Sequence, residues 1–192
     1  MKRLYILFIS IVICTATSQS QLLDILRNIK IRPGFVILNT GDTLLGSFEF
    51  NDCKENYRLV IYRDPVTYNS QAFEPQEVKL LSISENYYRP IEYKHEWVLM
   101  RVIFEDKLKF FHHKRFFTTF SNTGYSNEYY IIKPDGETLM VSTDVFYPFK
   151  TKAGYFFKDC PSVYEKIKNN TYSVKELPEI ITEYNEWLKA NK

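Results

Sequence analysis

Glycine is scarce in this chain, six residues in 192, and histidine and cysteine are scarcer, at three each. Each shortage excludes a class of chemistry. There is no Gly-x-x-x-x-Gly-Lys phosphate loop, no Gly-x-Ser-x-Gly nucleophile turn and no glycine-rich linker. His95, His112 and His113 form no His-Glu-x-x-His pair, and no paired Cys-x-x-Cys occurs, so neither a metal nor a cofactor is indicated. Basic and acidic residues nearly balance, 25 against 23, which leaves no global pull towards nucleic acid or an acidic membrane. Low-complexity tracts, charge blocks and repeats are missing too, and a single domain is the simplest account.

The longest apolar run is at the start. Lys2 and Arg3 precede Leu4 to Cys14, broken only by Ser10, and the small or polar residues Thr15 to Ser20 follow. A charged start, a short apolar middle and a small-residue exit make a secretory signal peptide, and the run is too short for a spanning helix of about 20 residues. Cleavage is expected after Ser18, giving a leader of residues 1–18 and a domain of residues 19–192, with cleavage after Ser20 as the alternative. Lipid anchoring through Cys14 is disfavoured, because the large branched Ile13 stands where that processing needs a small residue. Losing Lys2 and Arg3 takes the formal net charge from +2 to zero. No later segment has the apolar length of a transmembrane helix.

What the chain has in excess is aromatic residues, fifteen tyrosines and fifteen phenylalanines, which favour strands. Leu22 to Ile31 has helical spacing or is an extended lead-in, and Pro33-Gly34 is expected to end it. Phe35–Leu38 and Thr43–Phe50 flank the turn residues Asn39 to Asp42, so a hairpin is expected there. Further strands are expected over 57–63, 72–75, 78–83, 87–93, 97–104, 107–113, 129–132 and 138–141. Pro90 places its strand at an edge or a bulge. Lys133-Pro134-Asp135-Gly136 is a turn in which proline presets φ and glycine takes a positive one. Then the period changes. Helices are expected over 161–168, with Pro161 at its first position, and over 174–190, with Ser173 and Glu176 at capping-box spacing. The class expected is α+β, a mostly antiparallel sheet (sandwich or partly open barrel) followed by two C-terminal helices.

Two stretches resemble known sequences. Gly34 to Gly46, with its Gly41-Asp42-Thr43 turn, is similar to the opening hairpin of small secreted proteins of Bacteroidetes. Asp159-Cys160-Pro161-Ser162, Tyr172, Ile180-Ile181 and Tyr184-Asn185 resemble their helical close. These proteins have no assigned activity, so no catalytic or binding residue is carried over. The resemblance implies a Gram-negative envelope or periplasmic location.

Few constellations carry chemistry. Without the leader, Cys53 and Cys160 remain. In an oxidising compartment they form a candidate disulfide, closing a loop of about 100 residues that contributes up to roughly 4–5 kcal/mol on the chain-entropy view. Inert thiols are the first alternative, and a thiolate activated at the helix start beyond Cys160 is the second. His112 and His113 are adjacent on a strand and point to opposite faces, so they cannot share a metal ion. Glu105-Asp106 reads as a solvated turn more readily than as half of a glycosidase pair.

One segment suggests a ligand surface: His112, His113, Lys114 and Arg115 with Phe116, Phe117, Phe120 and Tyr125. Cations among aromatic rings suit sugar rings, nucleobases or lipid headgroups. The plainer alternative is a hairpin whose phenylalanines face the core while its cations stay in water. The functional expectation is a secreted or periplasmic envelope protein acting as a non-enzymatic binding or structural module, with an envelope protein or a glycan as partner. A hydrolase with a dispersed carboxylate site and an outer-membrane-associated protein are the alternatives.

Overall fold

Short turns make most strands of this chain pair with their sequence neighbours. The structure, a computed structural model, describes residues 30–50, 58–118, 123–143 and 147–191. The leader, Cys53, Phe120 and most of the Leu22 to Ile31 segment lie outside the described residues. The strands are β1 (Lys30–Leu38), β2 (Thr43–Phe50), β3 (Val60–Arg63), β4 (Ser70–Phe73), β5 (Val78–Ile83), β6 (Asn86–Tyr93), β7 (Glu96–Glu105), β8 (Lys109–Thr118), β9 (Thr123–Ile132) and β10 (Thr138–Ser142). All ten hydrogen-bond in one antiparallel sheet of order β10-β9-β8-β7-β6-β5-β1-β2-β3-β4. A 3-10 turn at Pro75–Glu77 returns the chain from β4 to the free side of β1.

Pro33-Gly34 does not break the chain but lies inside β1, correcting the expectation above. Pro33 falls where β5 stops pairing, since the β1–β5 ladder begins at Gly34 opposite Ile83, so its missing N–H costs no ladder bond on that side. Gly34 is required by close approach: a Cβ there would sit 2.0 Å from the Ser82 carbonyl oxygen. Pro90 obeys the same logic within β6. The β5–β6 ladder covers only Asn86 to Tyr88, so Pro90 has β7 alone beside it. The Lys133 to Gly136 turn forms as expected, with Gly136 at φ 90° and its N–H bonded to the Lys133 carbonyl at 3.0 Å.

The sheet is not closed into a barrel, and β10 and β4 are its edges. Its first seven strands nonetheless curl: Arg58, ahead of β3, ion-pairs with Glu96 at the start of β7. Inside the curl Val36, Phe48, Val60, Phe73, Val78, Leu81, Ile83 and Leu99 form one buried core. The same face continues across β8 to β10, where Phe110, Ile131, Leu139 and Val141 join a second core with the helices. On the opposite face Val98, Met100 and Phe111 make a smaller cluster.

Among the described residues three α-helices cover the second core, not two: α1 (Phe149–Phe156), α2 (Pro161–Lys168) and α3 (Leu177–Ala190). In α1, Phe149, Ala153 and Phe156 have helical spacing and are buried, in a stretch whose aromatic composition favours strand. Ser173 and Glu176 form the expected capping box, which opens a 3-10 turn at Val174–Glu176, and α3 follows with Pro178 in its first turn. Each large buried side chain, such as Phe157 or Tyr184, contributes about 1.5–3 kcal/mol of burial. Polar contacts fasten the helices to sheet turns. The buried Lys133 ammonium donates to the Phe156 carbonyl, to Glu137 at 2.9 Å and to Asp159 at 3.2 Å. The Tyr184 hydroxyl donates to Asp159 at 2.7 Å, and the Asn185 amide donates to Asp106 at 3.1 Å. No helix among the described residues is long and apolar enough to cross a membrane.

Candidate functional site

The β8–β9 hairpin holds the segment singled out above, and strand alternation divides it between two faces. Paired residues share a face, so Arg101, His112 and Tyr129 stand on the helix-side face, followed by Lys114 with Asn127 and by Tyr125, the register partner of Phe116. His113 with Glu128, Arg115 with Ser126, and Phe117 with Gly124 stand on the other. The eight residues are therefore not one surface. Phe120 lies outside the described residues.

On the helix-side face the His112 ring is tilted against Tyr129, centroids 5.3 Å apart, and its Nε2 lies 2.9 Å from the Asn127 side-chain oxygen. Burial holds its pKa below the ordinary histidine value, the Asn127 bond opposes this, and the charges of Arg101, His113 and Lys114 add to the depression. His112 is therefore neutral at pH 7. Lys114 stands over the Tyr125 ring, 4.9 Å from its centroid. The Nε of Arg101 is buried with no hydrogen-bond partner among the described residues.

The opposite face is organised by a residue not flagged from sequence. Glu128 is 3% exposed, and its carboxylate lies 2.8 Å from Arg115 Nε, 3.6 Å from His113 Nδ1 and 4.0 Å from Lys94 Nζ. The Tyr93 hydroxyl donates to it at 3.0 Å. Burial pushes the Glu128 carboxyl up, but the nearby His113 ring, the Tyr93 hydrogen bond and the Arg115 charge outweigh it, and the net direction is down. Tyr93 is shifted upward, by burial first and by Glu128 second. A signal for this site was present: β8 carries Lys109, His112, His113, Lys114 and Arg115 without an acid, and Glu128 is the lone acid of β9. His113 is buried beside Glu128, whereas Arg115 pairs with Glu128 while 41% of its side chain stays exposed. Phe117 is half-buried, its ring over Gly124.

The other candidates from sequence are committed elsewhere. Glu105 accepts from Arg89 at 3.1 Å, and Asp106 pairs with Lys189 at 2.7 Å and Asn185 at 3.1 Å, so that turn is docked and not merely solvated. Asp64, Asp106, Glu128, Glu176 and Glu183 all shift downward, held there by hydrogen bonds and neighbouring cations. Among the described residues no group of three His, Cys, Asp or Glu side chains is placed to hold a metal ion. Among the described residues Cys160 has no disulfide partner; it is fully buried, with Sγ 3.6 Å from the Ser162 hydroxyl. Burial keeps it away from solvent, which removes the basis for an accessible reactive thiolate.

A cleft of about 530 Å³ opens where the Asn39 turn and Gln76 meet β6 to β8. Pro90, Ile91 and Phe111 supply its apolar lining. Trp97, 40% exposed, stands at this cleft with Gln76 and Lys109. Arg89 and Glu105 face each other in its wall as an ion pair. The sequence gives no sign of this cleft, because its parts come from two turns and five strands. Comparison with family models, with curated proteins and with solved structures finds no match to this chain.

Proposed function

We propose that this chain is a non-enzymatic binding module of a bacterial envelope, exported by its leader, and that the Trp97 cleft takes a neutral or weakly charged glycan. The observation that carries this reading is the convergence of three uncommitted groups on one concavity. Trp97 offers an indole face, Gln76 an amide and Lys109 an ammonium, and none of these side chains has a partner among the described residues. A sugar ring presents C–H groups on its faces and hydroxyls at its rim. An exposed indole beside amide and charged donors matches both parts. The Arg89–Glu105 pair adds further donors and acceptors at fixed positions.

The export part rests on the Lys2 to Ser18 pattern and on the resemblance of the Gly34 to Gly46 and Asp159 to Asn185 stretches. Intact-mass measurement on protein recovered from the producing cell tests it, with a chain beginning at Gln19 expected. The binding part is tested by titrating the purified domain with a panel of envelope-type oligosaccharides while following tryptophan emission. At least one member is expected to shift the emission, and Trp97→Ala is expected to abolish the shift without lowering the melting temperature. An unresponsive Trp97 across the panel, or an unchanged response in the variant, overturns this assignment.

A further inference from the structure

The outer side of the helical layer carries a second concavity, of about 530 Å³, between α1 and α2. Lys150, Lys158 and Lys168 line it, with Tyr155 and Tyr164 beside them. From Tyr147 to Lys158 the sequence has three lysines and no acid. Among the described residues, Lys150 and Lys158 meet no carboxylate, and Lys158 instead stands over the Tyr155 ring, 4.0 Å from its centroid. Only Lys168 has an acidic neighbour, Glu165 at 3.9 Å, and both are more than half exposed. Three cations and one acid leave a local charge of +2 in a concave site.

Gly154 is the second observation. It is buried inside α1, at the lining of the groove. Glycine is a poor choice inside a helix compared with alanine, and here no crowding demands it. An added Cβ would meet Ile167 and Tyr164 at 3.9 Å, an ordinary contact. Alanine would therefore fit and favour the helix. What the missing methyl provides is room in the groove.

We propose that this groove binds a phosphomonoester carried on a sugar-sized group. A phosphomonoester carries about −1.5 to −2 charges at pH 7, which matches the local charge, and lysines serve phosphate well as point charges. The volume exceeds what inorganic phosphate alone would fill. Tyr155, 66% exposed, supplies an apolar face for the ring that bears the phosphate. The source is either a free sugar phosphate or a lipid headgroup, since both present this chemistry. The site is separate from the Trp97 cleft, so each assignment stands or falls without the other.

Calorimetric titration of the purified domain with glucose 6-phosphate, glucose and inorganic phosphate tests the chemistry, and co-sedimentation with vesicles of phosphatidic acid or phosphatidylglycerol tests the source. Glucose 6-phosphate is expected to bind, glucose not to bind, and inorganic phosphate to bind more weakly. The double variant Lys150→Gln, Lys158→Gln is expected to lose at least about tenfold in affinity. Both lysines are exposed, so its melting temperature is expected to hold. Gly154→Ala is expected to weaken binding while the melting temperature stays level or rises. Retention on phosphatidic acid vesicles without binding of the soluble sugar phosphate assigns the lipid source and overturns the sugar-bearing part. Neither form of binding, equal retention on phosphatidylglycerol, or an undiminished double variant overturns the proposal. Equal affinity for inorganic phosphate and glucose 6-phosphate overturns the sugar-bearing part.

Discussion

Glu128 and Arg115 meet at 2.8 Å across neighbouring strands, with the carboxylate almost completely withdrawn from water and the arginine side chain 41% exposed. Tyr93 reaches the same carboxylate from β6, beyond β8 in the sheet order. Through Tyr93 and Lys94 the carboxylate ties the β6–β7 turn to the long hairpin, and the pair lies on the face opposite the helices.

Replacing Glu128 by glutamine leaves Arg115 and Lys94 without their counter-charge. A loss of about 1–3 kcal/mol is expected at pH 7, below the range for broken buried pairs because Arg115 is partly solvated. The pH dependence has a definite sign. The folded carboxyl titrates below the unfolded value of about 4.3, so its stabilisation is complete above that pH and declines as pH falls through the folded value. Melting curves of the wild type and Glu128→Gln between pH 7 and pH 3 should therefore converge at the acid end. Parallel curves throughout would contradict an ionised Glu128.

The shortage of glycine leaves its mark at the hairpin turns. Lys94 and His95 at the β6–β7 turn have φ of 51° and 65°, and Ser84 and Glu85 at the β5–β6 turn have 47° and 68°. Two-residue turns with both central residues left-handed favour Asn-Gly or Asp-Gly. His95 is exposed, so His95→Gly relieves the left-handed penalty at little packing cost. A gain of up to about 1 kcal/mol is expected, after the extra unfolded-state freedom of glycine is subtracted. Chemical denaturation measures it, and a lower midpoint with unchanged slope would refute the strain at this turn.

Cys160 is expected to resist thiol reagents in the native protein, because no part of it reaches solvent. Unfolding in denaturant without reductant should expose it to a maleimide, and mass spectrometry of its peptide reads the label. A Cys160 peptide that takes the label only after reduction would instead establish the bridge to Cys53.

Local chemistry made much of the architecture legible. The Lys133 to Gly136 turn, the Ser173–Glu176 cap and the Pro161 helix start are each written within four residues, and each forms. The α+β class followed from them. Helix α1 was obscured because Phe149, Ala153 and Phe156 lie in an aromatic run that suits a strand equally well. Pro33-Gly34 read as a break because the place where β5 stops pairing is a long-range fact. The ligand segment was judged by composition, although the period of two already divides His112 and Lys114 from His113 and Arg115. Glu128, Tyr93 and Lys94 meet only because the sheet folds distant turns together. The Trp97 cleft is hidden for the same reason, since Asn39, Gln76, Trp97 and Lys109 are far apart in the chain.

All ten strands precede the helices that shield Phe110, Ile131, Leu139 and Val141. As the chain is made from its N-terminal end these four side chains emerge before their cover, leaving a broad oily sheet exposed until α3 arrives. The half-emerged chain is consequently its own most aggregation-prone form. A holdase that recognises naked aromatic strands would be needed only until Tyr184 and Asn185 latch onto Asp159 and Asp106.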